Sequence, residues 1–129
     1  MAKWLAFLIG EAAPGSQRDQ FDAVLKRSSL EEMFTPQLTA KDGEGGSGSD
    51  VRAALSFFVE HHDGVELLGH SGDQNGFISH LYFHRPSRSG YIVSFNTNAQ
   101  SKSDPVRTTR AVDNDLRDML IREFFAGRP

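Results

Sequence analysis

Between residues 51 and 97 apolar and polar residues alternate in four short runs, each closed by a cluster of turn-forming residues. Side chains alternate between the two faces of a strand, so such runs bury one face of a sheet, and short turns join neighbouring strands antiparallel. Few folds satisfy that pattern. The first run, "VRAALSFFVE" (51–60), puts Val51, Ala53, Leu55, Phe57 and Val59 on one face. "HHDG" reads as a turn, and "VELLGH" starts a second strand over 65–71. "DQNG" turns the chain into "FISHLYFH" (77–84), with Phe77, Leu81 and Phe83 on one side. "RPSRSG", whose Ser87 and Ser89 are turn residues, leads to a fourth strand over 91–97, where Tyr91, Val93 and Phe95 fall together.

The rest of the chain has a helical period. Residues 2–9 are apolar nearly all round, as in a helix packed on several sides. Phe21, Val24 and Leu25 recur at i, i+3 and i+4, so 19–26 reads as a short helix. In "SSLEEMFTP", Ser29 and Glu32 have the spacing of a capping box, Leu30, Met33 and Phe34 form the apolar stripe, and Pro36 ends the turn. "TAKDGEGGSGSD" (39–50) is Gly- and Ser-rich without periodicity and reads as a mobile loop. Beyond the last strand, Asp104 and Pro105 announce a helix over 105–126, with Val112, Leu116, Met119, Leu120 and Phe124 as its buried stripe and Gly127 as its stop. The acidic residues of "VDNDLRDMLIRE" interleave with Arg117 and Arg122, the pattern of a solvated face. The expected class is α+β: a helical segment (1–38), the loop, then an antiparallel sheet of about four strands packed by a long C-terminal helix (51–129).

Charge narrows the partners. With 14 Lys and Arg against 17 Asp and Glu, the net charge is −3, so nothing draws the chain to nucleic acid phosphates. It has no cysteine, which removes disulfides and thiolate metal sites and leaves the compartment open. The apolar run from Trp4 to Ile9, followed at once by Glu11, is too short for a secretory core, and no apolar run is long enough to span a bilayer.

Chemistry concentrates in "GHSGDQNGFISHLYFHRPSRSGYIVSFNTN" (69–98). His70 precedes Ser71, but strand neighbours point to opposite faces, so His70 cannot serve Ser71 as a general base. Taken with "AKWLAFLIG", "SSLEEMFTPQ" and the terminal helix, this stretch resembles the C-terminal part of the β-lactamase-related serine hydrolases, which include class C β-lactamases, D-alanyl-D-alanine peptidases, D-aminopeptidases and esterases. In that family "GHSG…GF" corresponds to the third active-site motif, written Lys-Thr-Gly or His-Thr-Gly, and "YIVSFNTN" is similar to the strand that follows it. The resemblance covers the chain outside residues 39–50 and implies a partial β-lactamase/transpeptidase-like fold.

Roles follow from the resemblance residue by residue. His70 would direct a hydrogen bond, or a charge when protonated, at a substrate carboxylate or the catalytic Tyr. Ser71 would contact substrate from the other face or the rim, Gly72 would let a ligand approach the backbone, and the Asp73 N–H would form half of an oxyanion hole. A His in place of Lys weakens the field available to a β-lactam carboxylate and favours a peptidase or esterase. The other two motifs are missing: no Ser has Lys three residues on, and neither Tyr82 nor Tyr91 begins Tyr-x-Asn. Both belong upstream, so the expectation is the back third of a longer acyl-Ser hydrolase, inactive alone and acting in its parent on a small-molecule or peptide-like substrate without cofactor.

Other readings stand beside this one. The chain is alternatively a non-catalytic binding or interaction module, or a gene fragment without function. His61 and His62 share a turn, and His80 and His84 lie too far apart along one strand face to share a metal, so all four read as solvated or edge histidines. Asn98 takes a structural place at its strand end. A sheet stripped of its upstream partners should expose apolar surface and self-associate.

Overall fold

The computed structural model describes residues 1–10, 16–39, 50–100 and 108–126. Three short helices come first, α1 (Ala2–Ile9), α2 (Ser16–Val24) and α3 (Arg27–Phe34). Six strands follow: β1 (Leu38–Thr39), β2 (Asp50–Ala53), β3 (Phe58–His62), β4 (Val65–Gln74), β5 (Phe77–His84) and β6 (Ser89–Phe95). Helix α4 (Thr109–Leu120) continues into one wide π-type turn (Ile121–Phe125), closed by the Ala126 N–H donating to the Ile121 carbonyl at 2.8 Å. The strands form one antiparallel meander in chain order, so the protein is α+β.

Two hairpins fix the register of the central strands. His62 pairs with Val65 across Asp63-Gly64, and Gln74 pairs with Phe77 across Asn75-Gly76. Both loop residues of each turn have positive φ (49° and 82°, then 50° and 88°), the mirror-image turn whose twist matches the strands it joins. The turns are therefore shorter than "HHDG" and "DQNG" suggest: His61 and His62 belong to β3, Asp73 and Gln74 to β4.

Helices cover both faces of the sheet. On one, Phe7 and Leu8 of α1 and Leu30 and Phe34 of α3 pack on Phe57, Val59, Leu68 and Phe83. Arg27 donates to the Leu8 carbonyl at 2.7 Å, satisfying the C-terminal end of α1 from α3. On the other face, Ile121 and Phe125 close over Val65, Leu67 and Tyr82.

Several expectations need correction. Residues 51–60 are not one strand. The chain leaves the sheet after Ala53, passes Ser56 with φ 63°, and re-enters at Phe58. Register then puts Val51 opposite Glu60 and Ala53 opposite Phe58, on the face away from Val59, while Leu55 is exposed. The fourth strand begins two residues early, at Ser89. Ser29 caps nothing, because α3 starts at Arg27 and no side chain caps it. The C-terminal helix keeps only part of its expected stripe: Leu120 and Phe124 pack on the core and Leu116 is half-buried, but Val112 and Met119 are exposed, while Thr109, Asp113, Ile121 and Phe125 are buried. Its N-cap in the described region is Thr108, whose Oγ1 accepts from the Ala111 N–H at 3.0 Å. Asp104, Pro105, Gly127 and the loop interior at 40–49 lie outside the described residues.

Candidate functional site

The third-motif stretch lies on β4, and its position depends on Gly69. A Cβ there would strike the Leu81 carbonyl oxygen and come within 2.7 Å of the Tyr82 Cα. A side chain at this position would thus run into the neighbouring strand, so the close approach of β5 requires glycine. Val65, Leu67, Leu68 and Gly69 are buried before this point, and His70, Gly72, Asp73 and Gln74 are exposed after it. The apolar half of β4 anchors the strand, and its polar half stands open to solvent.

His70 stacks its imidazole on the ring of Phe58, with centroids 4.9 Å apart and planes 26° from parallel. The strand that carries it is interior, flanked by β3 and β5, so His70 is exposed on a sheet face and not at a sheet edge. Asp73 borders a cleft of about 340 Å³ with Ile78, Asn98, Thr108 and Arg110. Its carboxylate is held by Arg110, and Asn98 Nδ2 approaches at 3.4 Å, which gives Asn98 its structural place. His70 does not line this cleft.

Ser71 has a neighbourhood that sequence distance concealed. Across the ladder it pairs with His80, whose Nε2 meets Asp113 Oδ2 of α4 at 2.7 Å. By composition this is a Ser, a His and an Asp in sequence. By geometry it is no triad, because His80 Nδ1 has no hydrogen-bond partner and the ring is only 6% exposed, leaving no place for an acyl group. Ser71 is half-buried near the Tyr82 hydroxyl, whose pKa burial pushes up to about 12 against a lowering influence from Ser71.

Beneath β4 and β5 lies a polar network joining the sheet to α4. Glu60, only 5% exposed, accepts from the Tyr82 hydroxyl at 2.5 Å through Oε1 and from Arg117 through Oε2. The same Arg117 nitrogen touches His62 Nε2, and its guanidinium sits 5.5 Å from the centre of the Tyr82 ring. His62 Nε2 also lies 3.0 Å from Glu60, yet one nitrogen cannot donate there and accept from Arg117 at once. Burial lowers the pKa of His62, the largest influence on it, and thus favours the neutral ring. A neutral ring with Nε2 unprotonated resolves the geometry: Arg117 donates one N–H to Glu60 and the other to His62.

Four side chains read from sequence as solvated are thereby placed in the interior or the interface. His80 and Asp113 are buried, Arg117 is half-buried, and His84 is buried with Nδ1 2.8 Å from Ser87 Oγ. Alternation did place His80, Tyr82 and His84 on one face, but their polarity argued for the wrong one. His61 and His62 meet Glu66 and Glu60, each at 3.0 Å. Among the described residues no three His, Asp or Glu converge as metal ligands, and no helix is long and apolar enough to cross a membrane.

Comparison with protein-family models, with curated proteins and with solved structures finds no match to this chain.

Proposed function

We propose that this chain is the third-motif portion of a β-lactamase-related serine hydrolase, whose parent hydrolyses a peptide-like amide, an ester or a β-lactam through an acyl-Ser. The observation that carries the reading is the half-and-half character of β4: a buried apolar anchor, then an exposed His-Ser-Gly-Asp on a strand fixed by a tight hairpin. Binding groups gain most from such rigidity, since a small misplacement relaxes the geometry a transition state needs. In this reading His70 meets the substrate carboxylate or the catalytic Tyr, Gly72 lets the acyl chain lie along the backbone, and the Asp73 N–H serves the oxyanion. Ser71 contacts substrate and is no nucleophile, because no base is bonded to it: His80 opposite it meets Asp113 through Nε2 and leaves Nδ1 without a partner. The nucleophile comes from a Ser-x-x-Lys segment, which this sequence does not contain.

Reconstitution tests the proposal. Mixing the chain with an N-terminal fragment that carries Ser-x-x-Lys and Tyr-x-Asn should produce labelling of the fragment's Ser by a fluorescent penicillin or a fluorophosphonate, and His70→Ala should weaken it. Labelling equally strong without this chain would remove its role.

One observation favours a second reading, a self-contained binding module: helices of this same chain cover both faces of its sheet. Among the described residues, one surface open to self-association is then the outer edge of β6, where Ser89–Phe95 carries no charged residue. A thermally stable monomer in light scattering at micromolar concentration supports the module, and a dimer or larger species supports the fragment.

A further inference from the structure

We infer that Phe58 is a positioning residue for His70, fixing the plane in which the imidazole is offered to a carboxylate ligand; the inference rests on the reading of His70 as a substrate-binding group. Antiparallel register sets Phe58 of β3 opposite Gly69 of β4, and Gly69 has no side chain to meet it. Backbone contacts from Leu81 and Tyr82 fill the space a side chain would need there, so position 69 is restricted to glycine. An aromatic ring opposite a strand glycine covers the backbone that the glycine leaves bare. Here the ring goes further and lies against the next side chain, His70, at 4.9 Å and 26°.

The consequence is chemical as well as steric. An exposed His side chain on an open strand would otherwise sample several χ rotamers, and ordering it on ligand binding would cost affinity. A near-parallel stack removes that cost in advance. It occupies one face of the imidazole and leaves the ring edge, where both nitrogens lie, directed away from the stack. Phe58 itself is half-buried and never needs to touch the ligand. Neither residue is made conspicuous by sequence spacing, since twelve positions and a turn separate them.

The test uses the full chain and proton NMR of the His70 ring, with Phe58→Leu, Phe58→Tyr and a cross-check of the fold by the amide spectrum. A stacked ring shifts the His70 Hδ2 and Hε1 resonances upfield and gives ring-to-ring NOEs to position 58. In Phe58→Leu both signatures should be lost while amides of α4 and β6 stay in place; in Phe58→Tyr both should return. Resonances of His70 unchanged by Phe58→Leu would overturn the inference. So would their failure to recover in a folded Phe58→Tyr. Neither result bears on the hydrolase reading, which the reconstitution experiment tests separately: a stack present in a chain that never supports labelling sinks that reading alone.

Discussion

The two faces of the sheet are held by different physics. Against α1 and α3 the contact is almost wholly apolar, with Phe34 edge-on to both Phe57 and Phe83 at 5.0 and 5.4 Å. Against α4 it is apolar only at the C-terminal turn; toward the helix N-terminus it becomes a buried polar network of Glu60, Tyr82, Arg117, His80 and Asp113. An apolar contact tolerates small shifts, whereas a buried polar network is stable only when each member finds its partner. The difference also concerns direction, because hydrogen bonds fix where α4 lies along the sheet more sharply than Phe and Leu contacts would.

The largest expected effect comes from removing the hub of the polar face. Glu60→Ala leaves the buried Tyr82 hydroxyl without its acceptor and the half-buried Arg117 guanidinium without its carboxylate, with only His62 left to accept from it, at a cost of about 3–5 kcal/mol. Phe34→Ala on the apolar face should cost a similar amount, about 3–5 kcal/mol, through the cavity it leaves. Repair separates the two. Replacing Glu60, Tyr82 and Arg117 together with Met, Phe and Leu should restore stability to near that of the parent, since the desolvation cost disappears with the charges. Urea denaturation of the single and triple variants measures this. A triple variant as unstable as Glu60→Ala would mean that the network is held by more than mutual pairing.

Acid should act on the polar face next. His62 and His84 are both shifted below their ordinary 6.5, in each case chiefly by burial. The folded state therefore prefers both rings neutral, and the unfolded chain binds more protons as pH falls. Their contribution to stability is full above pH 6.5 and is lost as pH falls through the lowered folded values. The denaturation midpoint should be flat from pH 8 to 7 and fall below 6.5, with His62→Gln reducing the slope. For His62, burial outweighs the opposing pull of the Asp118 and Asp63 carboxylates. A midpoint that rises on acidification would contradict the neutral assignment.

Smallest in free energy, though easily seen, is the effect of a charge on the β6 edge. Ile92 is 37% exposed, so Ile92→Lys should change stability by no more than about 0.5 kcal/mol. It should nonetheless shift any dimer seen in light scattering toward monomer. Persistence of the dimer in this variant would move the contact elsewhere.

Sequence pattern revealed the apolar face and missed the polar one, for a physical reason. Alternation and Asn-Gly placed β5 at Phe77–His84 without error, and the all-round apolar run placed α1 at Ala2–Ile9. The same logic assigned Val112 and Met119 inward on α4, because periodicity counts apolar residues and cannot recognise a buried surface built from Thr109, Asp113 and Arg117. Their partners Glu60 and His80 lie 57 and 33 residues away, and only the fold brings them together. The break after Ala53 was hidden for another reason: alternation runs on through Leu55 and Phe57 while the backbone turns at Ser56 with positive φ, where a serine gives no warning. At the candidate site, family resemblance marked His70 to Asp73, but the Phe58 stack and the pairing of Ser71 with His80 cross strands and leave no local signature.

The central claim is that this chain presents a substrate-binding strand and no nucleophile, and active-site labelling tests it most directly. The isolated protein is incubated with a fluorophosphonate and with a fluorescent penicillin, and the adduct is sought by intact-protein mass spectrometry. Losing a nucleophile typically costs on the order of a million-fold in turnover. The account therefore predicts an unmodified mass with both reagents and no hydrolysis of nitrocefin or p-nitrophenyl butyrate. Stoichiometric labelling of the isolated chain that disappears in Ser71→Ala would contradict it, and would make Ser71, with His80 and Asp113 behind it, the reacting group.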